Sequence, residues 1–149
     1  MRLRLGVQRE CRGKGLPTAA RIADWARAAL AGSGPGTAEV TVRLVDEVES
    51  AALNRRYRGK RGATNVLSFS YDVPQTAPGL TGDLVICAPV VARESHEQGK
   101  PARAHWAHMV VHGIMHLRGY DHVHESDAQI MEAQEIRVLK RLGIPNPYT

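Results

Sequence analysis

The chain has 149 residues, of which 43% are hydrophobic and 23% charged; these are the values of one ordinary globular domain, and they exclude a disordered chain, a collagen and a coiled coil. Residues 1–62 hold 13 basic and 6 acidic groups, whereas residues 63–149 hold 7 and 9, so the net charge of +5 is unevenly distributed. A basic half of this kind suits an anionic partner such as nucleic acid, although charge alone fits a protein without such a partner equally well.

The first half of the sequence alternates between strand and helix patterns. Apolar residues at every second position predict strands, and apolar residues three and four apart predict helices. In chain order the elements are a strand over residues 3–7, a helix from residues 17–18 to the loop at 32–36, a strand over 40–44 and a helix from 46 to about 57. Asp46, with Glu49 three residues later, is expected to cap the start of the second helix.

The second half opens with strands and continues with helices. In chain order these are a strand over 66–69, a long loop over 71–82, a buried strand over 84–87 and helices over 89–98, 101–117 and 126–142. Ser126 is expected to cap the last helix. The order β-α-β-α-β-β-α-α-α predicts one α/β (α+β) domain over residues 1–149, with a small mixed sheet of about four strands and about five helices.

No stretch of the sequence predicts a membrane anchor or a leader. The longest apolar run, Leu84–Ala92, is interrupted by Pro89 and is far shorter than the roughly 20 residues of a bilayer span. The N-terminus lacks the apolar segment of a signal peptide. Cys11 and Cys87 match no disulfide or metal pattern, so we expect a cytoplasmic protein without a membrane partner.

Five of the seven histidines fall between residues 105 and 122. His112 and His116 are four apart on a predicted helix, so their side chains lie on one face. Gly119, just after that helix, permits a reversal of the chain that can bring His122 to the same ion. Three imidazoles leave one position of a tetrahedral Zn²⁺ open for water, as in catalytic sites. We therefore predict one metal ion at the end of the penultimate helix; three histidines also accept nickel, copper or iron.

The remaining histidines are assigned to other roles. His105 and His108 share the stripe of the predicted helix and are expected to be polar core groups or groups that orient a ligand ring. His96 and His124 are expected on the surface. Asp121 is expected either to orient a histidine or to cap a turn.

The spacing H-x-x-x-H-x-x-G-x-x-H is also that of a class of zinc proteases. In those enzymes the residue after the first histidine is a glutamate that serves as general base. Here that position is Gly113. Peptide hydrolysis by the usual route is therefore not expected, unless a carboxylate such as Asp121 substitutes for the glutamate.

Five basic side chains occupy residues 55–61. Guanidinium groups bind phosphate through two hydrogen bonds, and lysine binds it as a point charge. Taken alone, this segment is read more simply as a solvated loop whose charges aid solubility. Together with a metal-activated water, a cationic segment that binds phosphate would allow hydrolysis of a phosphodiester.

These residues together resemble the YbeY family of bacterial endoribonucleases and rRNA maturation factors. The segment 112–122, HGIMHLRGYDH, is similar to the most specific motif of that family. The segments that resemble its other motifs are 53–60, 64–69, 82–87 and 98–111. The resemblance extends over roughly residues 35–148, nearly the whole predicted domain.

The resemblance implies a metal-dependent, single-strand-specific endoribonuclease. It implies a role in 3′-end maturation of small-subunit (16S) rRNA and in ribosome quality control, with RNA, the ribosome and ribosomal proteins as partners. By position, it implies that His112, His116 and His122 hold the metal, usually taken as Zn²⁺. It also implies that Arg58 binds the substrate phosphate as the catalytic arginine.

Three neighbouring basic residues, Lys60, Arg61 and Arg55, are predicted to assist Arg58 in binding substrate. Arg61 stands where the family usually has an acid, which makes this segment more basic than in its relatives. With 5% aromatic residues the chain has few stacking platforms, and this favours recognition of the RNA backbone.

Two alternatives to the nuclease stay open at this level. One is a metalloprotease that lacks the usual glutamate base. The other is a non-catalytic ribosome assembly factor that binds rRNA and uses the metal only to stabilise its fold. For the nuclease itself, the nucleophile is either a metal-activated water or the 2′-hydroxyl of the RNA.

Overall fold

A four-stranded mixed sheet forms the centre of the computed structural model, which describes residues 1–71, 78–121 and 123–149. The strands are β1 (Arg2–Glu10), β2 (Thr37–Val45), β3 (Val66–Ser70) and β4 (Gly79–Cys87). Their order in the sheet is β1-β2-β4-β3, with β1, β2 and β4 parallel and β3 antiparallel to β4. β1 and β3 are therefore the two edges of the sheet.

Five helices accompany the sheet in the described part of the chain. They are α1 (Ala19–Leu30), α2 (Glu47–Arg58), α3 (Ala88–Glu97), α4 (Ala102–Leu117) and α5 (Glu125–Arg141). The predicted α/β class, the order of elements and the size of the mixed sheet are confirmed. Among the described residues, no helix is both long and apolar enough to cross a bilayer.

α4 is the central helix of the fold, with eleven of its 16 residues buried. The main core cluster joins α1, α4 and α5 to one face of β2 and β4. A second, smaller cluster, built around Leu67, Val85 and Val90, covers the other face near α3. Burial on all sides explains why α4 lacks the one-sided apolar stripe of a surface helix.

α4 approaches β4 closely because glycines remove side chains from the contact. A Cβ atom on Gly113 would lie 2.6 Å from Cδ2 of Leu84, and a Cβ atom on Gly82 would lie 2.5 Å from Cδ2 of Leu117. Neither separation is compatible with atomic packing. The face of α4 that carries Gly113 is therefore pressed against the sheet.

The structure corrects the sequence predictions at the starts of β4 and α5, and it extends β1 and β2 beyond their predicted bounds. β4 begins at Gly79, so the predicted loop over 71–82 ends at residue 78, and its residues 72–77 lie outside the described part. Residues 79–83 are extended because they pair with residues 37–41 of β2, a contact that their mixed composition does not reveal.

Ser126 does not cap α5, because His124 occupies the N-cap position and makes no side-chain capping hydrogen bond. The predicted cap at Asp46 is confirmed, since its carboxylate accepts a hydrogen bond from the backbone of Glu49 at 3.0 Å.

Candidate active site

His112 and His116 bring two ring nitrogens together on the exposed side of α4. Their Nε2 atoms lie 3.2 Å apart, and their ring centroids are 4.7 Å apart. Two nitrogens that each bind one tetrahedral zinc ion at roughly 2.0–2.1 Å are separated from each other by about 3.3–3.4 Å. The pair therefore fits a shared ion with little movement. His122, the third predicted ligand, lies outside the described residues.

The opposite side of the His112 ring is held by a buried carboxylate. Glu135 of α5 is fully buried, and its Oε1 atom accepts hydrogen bonds from Nδ1 of His112 at 2.9 Å and from Nε2 of His108 at 3.0 Å. The hydroxyl of Tyr148 donates to Oε2 at 3.0 Å. In a neutral ring, an Nδ1–H that donates to a carboxylate leaves Nε2 as a bare lone pair. The hydrogen bond to Glu135 thus favours the tautomer of His112 whose Nε2 atom carries the lone pair that a metal ion would require.

Glu135 is an anion throughout the physiological range. Burial by itself would raise the pKa of this carboxyl, but the hydrogen bonds from His108 and His112 outweigh burial and lower the pKa to about 2. Burial and the neighbouring Glu135 carboxylate raise the pKa of the Tyr148 phenol. The phenol therefore stays protonated and remains a hydrogen-bond donor to Glu135.

His108, His112 and Glu135 also form a candidate metal group in their own right. Their potential ligand atoms all lie within 4.8 Å of one another. This group shares only His112 with the predicted triad of His112, His116 and His122. Its three side chains are the ones joined by the hydrogen bonds just described, so the same geometry serves either as a His-His-Glu ligand set or as support for a ligand ring.

His105 forms a second histidine–carboxylate pair one turn away. Its Nε2–H donates to Oε1 of Glu94 at 2.8 Å, and the amide of Asn65 donates to the same oxygen at 3.1 Å. Burial lowers the pKa of His105 despite the opposing effect of Glu94. His105 is only 3% exposed, so it is a polar core group that ties α4 to α3 and to the residue before β3.

A cleft of about 200 Å³ opens beside His112 and His116. Asn54, Arg58 and Lys60 line it from the end of α2 and the following turn, and residues 64–68 line it from β3 and the loop before it. No acidic side chain occurs among these described lining residues. Two imidazoles and two cations thus surround one space, which suits an anionic ligand.

The basic segment is helical over much of its length. Arg55 and Arg58 belong to the last turn of α2, where the helix dipole stabilises cations, and the helix ends at Gly59 with φ 65°. Of the four predicted phosphate-binding residues, Arg58 and Lys60 line the cleft. Arg55 and Arg61 are exposed and do not belong to its described lining.

Two buried polar side chains of α2 hold the chain that follows the helix. The amide of Asn54 donates to the carbonyl of Gly62 at 2.9 Å. The hydroxyl of Ser50 donates to the carbonyl of Thr64 and accepts from its N–H, both at 3.0 Å. These bonds fold residues 59–64 back along α2 and carry Lys60 to the wall of the cleft.

The chain matches a family of known proteins over most of its length. A family model described as Endoribonuclease YbeY matches residues 14–143. A protein named Endoribonuclease YbeY from Methylococcus capsulatus is 60% identical, over 89% of this chain and 87% of its own length. Another of that name from Aromatoleum aromaticum is 56% identical over 99% and 93%. The chain belongs to the endoribonuclease YbeY family. The predicted family and the enzyme class, an endoribonuclease and hence a hydrolase, are confirmed by these matches.

The fold is also found in a solved structure. The solution structure of a protein from Thermotoga maritima superposes with a TM-score of 0.56 at 23% sequence identity, covering 91% of each chain. At this level of identity the likeness shows the fold alone.

The packing around Gly113 bears on one form of the protease alternative for this YbeY-family chain, the one with its base at this position. The position that would carry the glutamate base faces Leu84 of β4, and the space there does not accept even a Cβ atom. Asp121, the carboxylate considered as a substitute, is exposed. A protease base at residue 113 is therefore excluded by packing as well as by sequence.

Glu135 and Tyr148 were both missed by the sequence analysis. The signal for Glu135 was weak, since it is a single acid on a helix with several other charges. In α5, Ile130 is 55% exposed whereas Glu135 is fully buried, so hydrophobicity alone does not identify the buried face of this helix. The contact between Glu135 and His112 depends on how α5 docks against α4, and no local pattern in the sequence reveals it.

Proposed function

We propose that residues 1–149 form one metal-dependent endoribonuclease domain that cleaves single-stranded RNA, with His112, His116 and His122 holding one Zn²⁺. The observation that carries the proposal is the 3.2 Å separation of the Nε2 atoms of His112 and His116 at a cleft that Arg58 and Lys60 also line. Two histidines that can hold one metal ion and two cations that can bind a phosphate thus share one cleft, and metal-assisted hydrolysis of a phosphodiester uses both groups.

The open side of His112 is favoured over the buried one as the metal position. A catalytic zinc site needs one coordination position that water or substrate can reach. Glu135 is fully buried and already accepts hydrogen bonds from two histidines and a tyrosine. We therefore assign Glu135 to the support of the His112 ring, and His108 to the support of Glu135.

In this mechanism the chain's own side chains bind and orient the phosphate. Bound zinc would supply the acidification of a water, whose pKa can fall to about 7, and the polarisation of a phosphate oxygen. Arg58, fixed at the end of α2, donates to the non-bridging oxygens of the phosphate, and Lys60 adds a second positive charge. Both line the cleft, so they can stabilise the charge that develops on the phosphorane.

The nucleophile is either water or the 2′-hydroxyl next to the cleaved bond. Attack by the 2′-hydroxyl forms a bond to phosphorus, expels the 5′-oxygen of the next nucleotide and leaves a 2′,3′-cyclic phosphate. Attack by water leaves no cyclic product. Analysis of the product ends by mass spectrometry, together with a substrate that carries 2′-deoxyribose at the cleaved position, separates the two routes.

The biological role that we propose is maturation of the 3′ end of 16S rRNA and ribosome quality control in the cytoplasm. It is supported by membership of the YbeY family and by the basic first half of the chain. The ribosome and its proteins would then bring the substrate to a cleft with little capacity to select a sequence by itself.

The test compares RNA cleavage by wild-type protein and by the variants His112→Ala, His116→Ala and Arg58→Ala, all purified identically. Metal content is measured for each, and circular dichroism checks folding. His96→Ala, which removes an exposed histidine of α3, is the matched control. We expect cleavage to be lost in the three site variants and metal to be lost only in the two site histidine variants.

Equal cleavage by all variants would identify a contaminating ribonuclease. In that case a protein that unfolds cooperatively on metal removal, without any nuclease rate to lose, would be the metal-stabilised assembly factor instead.

A further inference from the structure

β3 is an edge strand whose outer edge lies at the candidate active site. It pairs with β4 on one side, and no other described strand pairs with it. Val66, Leu67 and Ser68 belong to the lining of the cleft that contains His112 and His116. The outer edge of an unpaired strand carries backbone donors and acceptors that can bind another chain.

The hydrogen-bond phase of β3 identifies which residues face outward. The N–H of Cys87 donates to the carbonyl of Asn65 at 2.9 Å, and the N–H of Tyr71 donates to the carbonyl of Thr81 at 3.0 Å. In an antiparallel pair, bonded residues alternate with residues whose N–H and C=O point away from the partner strand. The register is continuous between these two bonds, so every second residue from Asn65 faces β4.

The backbone groups of residues 66, 68 and 70 therefore point away from β4. The N–H of Val66 donates to its neighbour's side chain, the Oδ1 atom of Asn65, at 2.7 Å, as expected for an outward group. The carbonyl of Val66 and the N–H of Ser68 are the outward pair within the cleft lining. They form an acceptor and a donor two residues apart on one edge.

The charges around this edge favour RNA over a peptide as the chain that binds there. Arg58 and Lys60 line the same cleft, and its described lining contains no acidic side chain. The positive charges of Arg58 and Lys60 favour binding of a polyanion such as RNA, whereas they do not favour binding of a neutral peptide strand. An adjacent acceptor and donor also match the Watson–Crick edge of every RNA base, since each base carries a donor next to an acceptor there.

We propose that the outer edge of β3 binds the base of an unpaired nucleotide beside the cleaved phosphate, with the N–H of Ser68 donating and the C=O of Val66 accepting. This inference rests on the proposed endoribonuclease function. It gives a physical reason for single-strand specificity, because base pairing in a duplex already occupies the groups that the strand edge would bind. It also provides base binding without the aromatic stacking platforms that the chain lacks.

The test removes one backbone donor while leaving the sheet intact. Ser68→Pro deletes the N–H of an outward residue, so no hydrogen bond to β4 is lost. Ser70→Pro is the matched control, because Ser70 has the same outward phase on the same strand but does not belong to the described cleft lining. Ser68→Ala serves as the reference that keeps the N–H, since the Ser68 hydroxyl also donates to the carbonyl of Gly113 at 3.4 Å.

Affinity for a short single-stranded RNA is measured by fluorescence anisotropy, with metal content and circular dichroism as checks on the site and the fold. We expect Ser68→Pro to bind about tenfold more weakly than Ser68→Ala, as for the loss of one hydrogen bond. We expect Ser70→Pro to bind like wild type. Equal affinities for Ser68→Pro and Ser68→Ala, with binding still weakened by Arg58→Ala, would overturn the base site and leave the nuclease proposal intact.

A second arm does not depend on the folding of a proline variant. Wild-type protein is titrated with RNAs that carry a single abasic nucleotide, or a single 2′-deoxynucleotide, at each position in turn. We expect one abasic position next to the cleaved bond to weaken binding about tenfold. Sensitivity to the 2′-deoxy series alone, or no sensitive position in either series, contradicts the proposal. Displacement of the RNA by an uncharged extended peptide at similar concentration would identify the edge as a peptide site.

Discussion

The hydroxyl of Tyr148 donates to Oε2 of Glu135 at 3.0 Å, while the other oxygen of that carboxylate holds Nδ1 of His112. Tyr148 is therefore two hydrogen bonds away from Nδ1 of the ring whose Nε2 atom we assign to the metal. Its ring also packs edge-on against His108, with centroids 5.3 Å apart. The residues that follow α5 thus contribute to the orientation of the His112 ring on α4.

Replacement of Tyr148 by phenylalanine is expected to weaken metal binding while keeping the packing of the ring. Loss of the donor leaves one oxygen of Glu135 without its partner, so the carboxylate can shift and the His112 ring becomes less well oriented. Removing a direct partner of a ligand costs about 10–100-fold in metal affinity, and for this more distant group we expect roughly 3–10-fold. The dissociation constant is measured by competition with a chromogenic chelator. Tyr57→Phe, at an exposed tyrosine, is the control, and an unchanged constant for Tyr148→Phe would restrict Tyr148 to packing.

Arg58 is expected to act through its fork of donors as well as through its charge. Arg58→Lys keeps the charge but loses bidentate binding, so we expect cleavage about 10-fold slower, and Arg58→Ala is expected to be about 100–1000-fold slower. Single-turnover rates are measured on one RNA at saturating enzyme. Arg56→Ala removes a neighbouring cation that stacks over the ring of Tyr57 at 5.3 Å, and it should retain the wild-type rate within about twofold. Identical rates for Arg58→Lys and wild type would show that only charge matters.

His105 is expected to make stability depend on pH below neutrality. Burial lowers its pKa from the ordinary value of 6.5, and its buried Nδ1 atom has no partner in the described part of the chain, so protonation would leave a buried N–H unsatisfied. As pH falls through 6.5, the unfolded chain takes up this proton before the folded one. The stabilisation present above pH 6.5 is then lost progressively as pH decreases.

The measurement is urea unfolding of wild type and His105→Gln at intervals from about pH 7.5 to 5. The glutamine amide can still donate to Glu94 but does not titrate. We expect the free energy of unfolding to fall more steeply with decreasing pH in wild type than in the variant. Parallel curves would mean that His105 has a similar affinity for protons in both states.

Gly113→Ala is expected to destabilise the fold by about 1–3 kcal/mol, since its Cβ atom would overlap Leu84. Leu84→Val removes the two Cδ atoms nearest to that position, 2.6 and 2.9 Å from the added Cβ. The double variant should therefore be more stable than the sum of the single effects predicts, by about 1 kcal/mol. Thermal and urea unfolding of all four proteins test this coupling. Strict additivity would contradict the proposed contact.

The element order was predictable because periodicity is a local property. Strands β1 and β2 alternate clearly, and α1 has a regular apolar face, so neither needs tertiary information. The start of β4 was not predictable, because residues 79–83 are extended only through their pairing with β2. The basic segment at residues 55–61 was assigned correctly only in part: the predicted helix ends at about residue 57, but the interpretation of the whole segment as a solvated loop does not hold, because residues 55–58 form the last turn of α2 before Gly59.

The candidate site also contains residues that local spacing predicts and residues that only tertiary packing brings together. His112 and His116 could be found because four residues make one helical turn, and spacing alone puts them together. Glu135 lies 23 residues from His112 in the chain, and its burial depends on how α5 docks against α4. No local pattern distinguishes it from the exposed acids of the same helix. The support of a ligand is therefore harder to detect in a sequence than the ligand itself.

Glu135 of α5 orients the ring of His112. Docking of α5 is therefore expected to precede tight binding of the metal ion during folding. His112 is synthesised 23 residues before Glu135, and Tyr148 follows later still. Until α5 has docked, Glu135 does not fix the tautomer or the orientation of the His112 ring, so we expect its affinity for a metal ion to be lower. We therefore expect a newly made chain to bind its ion only after α5 has docked. The enzyme would then become active only after its whole fold has been completed.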